Sequence, residues 1–89
     1  MISRELEIRN RLGLHARAAA RFVQAASRFR SRVQISREGK TMDGKSILGI
    51  LLLAASQGTR LVVSADGEDE AACIDRLAAL VEGGFGEEA

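Results

Sequence analysis

The sequence predicts an α+β fold: a four-stranded sheet covered on one face by three helices, in the order β-α-β-β-α-β-α. Three observations carry this. Segments in which apolar and polar side chains alternate are interleaved, in that order, with segments whose apolar residues recur every three or four positions. The composition, 46% hydrophobic and 28% charged with no proline, is that of a globular chain and excludes collagen-like, Pro-rich and low-complexity classes. At 89 residues there is room for one core, so residues 1–89 are expected to form a single domain.

Ile2 to Ile8 carries Ile2, Leu6 and Ile8 with charges between them, the pattern of a half-buried strand. Asn10-Arg11-Leu12-Gly13 reads as a loop. From Ala16 to Ser27 the period is helical, with six alanines and an apolar stripe at Ala19, Phe22, Val23 and Ala26. Arg17, Arg21, Gln24 and Arg28 share the opposite face, which is either solvated or a docking surface. Arg32 to Arg37 alternates again, with Val33 and Ile35 on one side. Glu38-Gly39-Lys40 supplies a tight turn, and Thr41-Met42-Asp43 a short return strand. Ser46 stands where it can cap a short apolar helix from Ile47 to about Ala55, closed by Gln57-Gly58. Arg60 to Ala65 reads as a strand, with two adjacent valines. Asp66-Gly67-Glu68-Asp69 is a turn that sets acidic side chains at the positive end of the last helix. That helix buries Ile74, Leu77, Ala78 and Val81 and stops at Gly83-Gly84. The helix between the first two strands makes a crossover, so those strands need not be neighbours.

The charge is unevenly spread. Residues 1–45 carry a balance of +7 and residues 46–89 a balance of −6. Packed into one domain, the halves are expected to give a positive and a negative side, the positive one suited to an anionic ligand or an acidic partner surface. The single cysteine, Cys73, excludes an internal disulfide and a Cys-cluster metal site, and reads as a small packing residue of the last helix. The longest apolar run, Ile47 to Ser56, is too short to span a bilayer. The N-terminus shows no basic segment followed by an apolar stretch, so a cytoplasmic location without membrane insertion is the expectation.

His15 is the only histidine, and it immediately precedes the Ala-rich helix. The first N–H groups of a helix lack intrahelical partners, and the dipole is positive there. That field favours a neutral, nucleophilic imidazole. An anion on the ring could be held by the backbone N–H groups of Ala16 and Arg17, with the Arg17 guanidinium adding a charge-assisted contact. A lone histidine at a helix start is also at home as a surface or capping residue. A metal site lacks a second His or Cys nearby, so no metal and no cofactor are expected.

Leu12-Gly13-Leu14-His15-Ala16-Arg17 resembles the active-site signature of the HPr family, the histidine-containing phosphocarriers of the bacterial phosphoenolpyruvate-dependent phosphotransferase system. Gln24-Ala25-Ala26-Ser27 is similar to the end of that family's first helix, and Gly44-Lys45-Ser46-Ile47-Leu48-Gly49 to the segment around its regulatory serine. Gly58 and the Ala65-Asp66-Gly67 turn stand where the family places them, so the similarity extends from residue 2 to about 85. The resemblance implies an open-faced β-sandwich. It implies His15 as phosphoacceptor at Nδ1, with Arg17 orienting the phosphoryl group. Phosphorylated enzyme I would be the donor and an enzyme II A-type domain the acceptor, in sugar uptake. Such a protein is a covalent intermediate rather than a stand-alone enzyme, and a monomer is the expected state.

The family commonly has proline after Arg17, whereas this chain has Ala18. Alanine restores an N–H and keeps helix propensity high, so the helix is expected to survive, with transfer rate or partner preference open. Ser46 needs no role beyond capping. By resemblance it is also the target of an HPr kinase/phosphorylase, and phosphorylation there would add roughly −1.5 to −2 charges at a docking face. Ile47, Leu48 and Leu51 share one helix face while Ile50 and Leu53 point elsewhere. All could be core. The resemblance implies instead an exposed partner-binding patch formed with Arg17, Ala20, Arg21 and Gln24.

Two rival readings are weighed. A small RNA-binding domain would use Arg28-Phe29-Arg30-Ser31-Arg32, but the chain has three phenylalanines and no Tyr or Trp to build an aromatic sheet platform, so no nucleic-acid partner is expected. A nitrogen-branch or purely regulatory paralogue is the other. Gly83-Gly84-Phe85 with its acidic neighbours resembles the nitrogen-branch proteins, whereas the Ser46 context resembles the sugar branch.

Overall fold

A computed structural model of the chain describes residues 1–87. The elements run β1 (Ile2–Glu7), α1 (Ala16–Ala26), β2 (Arg32–Arg37), β3 (Lys40–Asp43), α2 (Ile47–Leu51), β4 (Arg60–Asp66) and α3 (Glu70–Glu82), followed by a single 3-10 turn over Gly84–Gly86. The strands form one antiparallel sheet in the order β1-β4-β2-β3. This is the α+β, open-faced arrangement that the sequence predicts. The crossover through α1 leaves a gap between β1 and β2, and β4 fills it.

Register puts the apolar residues on one side. Leu6 lies opposite Leu61, Ile35 opposite Val63 and Val33 opposite Ala65. All six are buried. Side chains alternate faces along a strand, so the sheet's other face keeps its polar residues and the half-exposed Val62. α1 and α3 close the apolar face. The first contributes Ala18, Ala19, Phe22, Ala25 and Ala26, the second Cys73, Ile74, Leu77, Ala78 and Val81. Small alanines let α1 approach α2 and α3 closely, and Phe22 is wholly buried beneath it. Cys73 is wholly buried, and burial pushes its thiol up, as suits a packing residue. Between β2 and β3, Glu38 and Gly39 both adopt positive φ, 49° and 83°, the turn whose twist matches paired strands.

Two local expectations are corrected by tertiary contacts. The sequence extends α2 to about Ala55, but the helix ends at Leu51. Its last turn tightens through i to i−3 bonds from Leu53 to Ile50 and from Ala54 to Leu51, each 3.1 Å. Ala54 then turns to φ 50°, and Arg37 of β2 donates from Nη1 to the carbonyls of Leu53 (2.8 Å) and Ala54 (2.9 Å). A side chain from the sheet thus takes carbonyls that further helix would have paired. Before α3, it is Glu70, outside the predicted acidic turn, that turns back, accepting the Gly67 N–H at 3.1 Å. Asp69 is the N-cap residue, yet its carboxylate faces the α1–β2 connection and accepts the N–H groups of Arg30 (2.8 Å) and Ser31 (3.0 Å). The Ser31 hydroxyl donates to it as well, and this bond together with the amides holds the carboxyl below its ordinary range.

The entry to α1 is pinned by one close approach. Gly13 has φ 69°, and a Cβ built there would lie 2.6 Å from the Ala55 carbonyl oxygen and 2.9 Å from Ser56 Cα. Leu14 then donates its N–H to that carbonyl at 2.8 Å. Gly13→Ala combines a left-handed penalty with a steric clash against backbone, so it should lower unfolding free energy by about 2–4 kcal/mol. A urea midpoint unchanged from wild type would contradict this account.

Candidate functional site

His15 is the N-cap residue of α1, with extended backbone (φ −77°, ψ 179°). Its Nδ1 accepts the N–H of Arg17 at 3.3 Å, so the imidazole does what a serine or aspartate would do at this position. The main-chain carbonyl of His15 accepts the first helical bond, from Ala19 at 2.8 Å. On its other edge, Nε2 lies 2.6 Å from Oε2 of Glu87. The imidazole side chain is 27% exposed and the carboxylate 13%.

Asn10 completes the arrangement. It is buried in the loop between β1 and α1, and its Nδ2 donates to the Gly13 carbonyl (2.7 Å) and to Oε1 of Glu87 (2.8 Å). The Arg21 guanidinium donates to the Phe85 carbonyl. Arg21 therefore faces the C-terminal turn and is half-buried, whereas the periodicity placed it on the outer face. Phe85, at φ 58°, inserts its ring into the core and brings the following chain back to His15. Neither Asn10 nor Glu87 stands out in the sequence. Asn10 reads as an ordinary loop residue, and Glu87 lies 72 positions from His15, beyond any local pattern. The only available signal is an apolar Phe85 after two glycines, which marks a segment with somewhere to bury.

The remaining predicted residues lie on α1 and α2. Ala16, Arg17 and Gln24 are exposed on α1, and Ala20 is half-buried. α1 contacts α2, whose Ile47 and Leu48 are 42% and 69% exposed. Leu51 is half-buried against the core, and Ile50 and Leu53 are inside, as the helical spacing requires. Leu52 and Leu12 are exposed apolar residues as well, which the stripe did not include. Ser46 caps α2, its Oγ accepting the Gly49 N–H at 3.1 Å. Among the described residues, no group of three or more His, Cys, Asp or Glu could hold a metal ion. No helix among the described residues is long and apolar enough to cross a membrane.

Glu87 is held below the ordinary glutamate value, chiefly by the Asn10 amide, with the His15 ring adding to it against the cost of burial. A carboxylate whose folded pKa is depressed contributes stability that is present above its unfolded pKa. That stability is lost as pH falls through the folded one. The acid limb of a stability-versus-pH curve should therefore be shallower in Glu87→Gln than in wild type below the ordinary glutamate range. Superimposable limbs would remove this contact from the stability account.

With this geometry in view, comparison with known proteins is specific. A family model described as the PTS HPr component phosphorylation site matches residues 2–83. The phosphocarrier protein HPr of Xylella fastidiosa (strain Temecula1) is 48% identical over 88 residues, 99% of each chain. That of Neisseria meningitidis serogroup A is 45% identical over 87 residues, 98% of each. The crystal structure of HPr-C-His from Thermoanaerobacter tengcongensis superimposes with a TM-score of 0.96 at 46% identity, covering all of both chains. Sequence over nearly the full length and backbone over all of it agree, and the chain belongs to the HPr family of phosphotransferase-system phosphocarriers.

Proposed function

We propose that the chain accepts a phosphoryl group on Nδ1 of His15 from phosphorylated enzyme I, itself charged by phosphoenolpyruvate, and passes it to an enzyme II A-type domain in sugar uptake. The observation that carries this reading is the seat of Nδ1 at the opening of α1, where its partner is a backbone amide at 3.3 Å. That bond is long, and an incoming phosphoryl oxygen can replace Nδ1 as the amide's acceptor. In transfer, the Nδ1 lone pair forms the new N–P bond while the donor atom that held the phosphoryl group leaves with the old bonding pair. The oxygens' negative charge then meets the N–H groups of the first turn and the positive helix pole. Arg17, exposed in that turn, supplies a guanidinium for the same oxygens. Little bond chemistry is asked of the carrier itself. Alignment and charge do the work, and much of both comes from the partner. No cofactor enters.

Ala18, in place of the family's usual proline, leaves the helix start intact. It is wholly buried beneath the first turn, and α1 begins at Ala16 without a proline to start it. On α2, which α1 contacts, Ile47 and Leu48 with half-buried Leu51 form an apolar centre, and Arg17 and Gln24, exposed on α1 with half-buried Ala20, supply a more polar edge. An interface built this way has an apolar middle and a charged rim, and fits an acidic partner surface in the cytoplasm. Ser46 lies at the margin of the apolar centre as the cap of α2. Phosphorylation by an HPr kinase/phosphorylase would place roughly two negative charges there. The helix start tolerates that charge locally, but an acidic partner does not, so the effect falls on docking.

His15→Ala should abolish acid-labile, base-stable labelling from phosphoenolpyruvate and enzyme I while leaving the circular dichroism spectrum unchanged. Wild-type labelling of that variant would refute His15 as acceptor. Ser46→Asp should slow acceptance from enzyme I by about tenfold or more, through like-charge repulsion at the docking face. Equal rates for the two proteins would remove the regulatory role of Ser46.

A further inference from the structure

The two ring nitrogens of His15 meet different surroundings. Nδ1 accepts the Arg17 N–H, which an imidazole nitrogen does only when it carries no proton. Nε2 lies 2.6 Å from a carboxylate oxygen, and an ionised carboxylate only accepts, so Nε2 must be the protonated nitrogen. Both contacts select the same tautomer. The carboxylate also covers Nε2: with Oε2 at 2.6 Å there is no space for phosphorus on that edge. We propose that Glu87 is a positioning residue, which by holding the Nε2 proton of His15 and covering that edge of the ring directs phosphoryl transfer to Nδ1. The proposal rests on the phosphocarrier reading and assigns a residue outside the His15–Arg17 motif to it.

Glu87 is held for this task from three sides. Oε1 accepts the Asn10 side-chain amide at 2.8 Å, and Asn10 is in turn fixed by the Gly13 carbonyl at 2.7 Å. The backbone just before Glu87 is anchored by the buried Phe85 ring and by Arg21 on the Phe85 carbonyl. A carboxylate locked by a supporting shell orients a histidine ring better than a mobile one. It also faces the charge that transfer creates. When the Nδ1 lone pair enters the N–P bond, the donor atom departs with the old bonding pair and Nε2 keeps its proton. The ring therefore gains positive charge against the Glu87 carboxylate.

The test uses the full chain and compares wild type, Glu87→Ala and Glu87→Gln. Phosphoramidate phosphorylates imidazole without a partner protein, and 31P NMR distinguishes the Nδ1 from the Nε2 product. Wild type should be labelled mainly at Nδ1. Glu87→Ala should raise the Nε2 fraction several-fold, and the 15N shifts of its neutral ring should move from the Nε2–H form toward a mixture of tautomers. Glu87→Gln keeps an oxygen that can accept the Nε2 proton, so it should restore most of both signals. A purely structural role would not produce that rescue. Acceptance from enzyme I should fall about tenfold in Glu87→Ala, the scale of lost supporting contacts. A folded Glu87→Ala with the wild-type isomer ratio and wild-type 15N shifts would overturn the proposal. A wild-type protein that takes no phosphoryl group from enzyme I would instead overturn the carrier reading, with the phosphoramidate and NMR arms still deciding the role of Glu87.

Discussion

The end of the molecule that carries His15 depends on one backbone contact, the 2.8 Å bond from the Leu14 N–H to the Ala55 carbonyl. It forms only because Gly13 adopts φ 69° and has no Cβ to strike that carbonyl. The bond joins the entry of α1 to the segment leaving α2. His15 is thereby set at the opening of one helix, and that helix contacts α2, which carries the exposed Ile47 and Leu48. A loop free to move at Gly13 would still cap α1 locally. It would not hold the cap in register with the apolar surface next to it.

A second constraint acts from the far end of the chain. Phe85 is buried, and the turn around it carries Glu87 to Nε2 of His15. α1 serves both constraints at once: it presents His15 at its start and, one face round, offers Arg21 to the Phe85 carbonyl. The same helix that exposes Arg17 thus spends Arg21 on structure. The split between a basic first half and an acidic second half is used in part across the fold. Arg4 of the basic half meets Asp75 of the acidic half at 3.2 Å, whereas Glu5 and Arg60, 2.9 Å apart, pair with the signs reversed. These exposed pairs contribute little, about 0–1 kcal/mol each. Neither Arg17 nor Arg28 enters an ion pair among the described residues, which leaves positive charge on the α1 side.

Much of this was legible residue by residue. Alternation located the strands, since a period of two is imposed by the pleat whatever the partner strand is. The alanine-rich period located α1, and Ser46 before an apolar run located the cap of α2, because capping is chemistry within three residues. The end of α2 was not legible. It depends on Arg37, a residue of another element that takes the Leu53 and Ala54 carbonyls. Asp69 misled for the same reason: next to a helix start its charge suggests a dipole partner, but the amides of Arg30 and Ser31 lie closer to its carboxylate.

By itself, then, the sequence determined the order of the elements, the face each one buries, and the position of a lone imidazole at a helix opening, because propensity, periodicity and capping act over a few residues. Only the tertiary structure decided the neighbours of that imidazole. β4 slips between β1 and β2, Gly13 meets Ala55, and Glu87 arrives from 72 residues away to take the Nε2 edge. Contacts of that kind follow from how packed faces bring distant backbone together, and no local pattern encodes them.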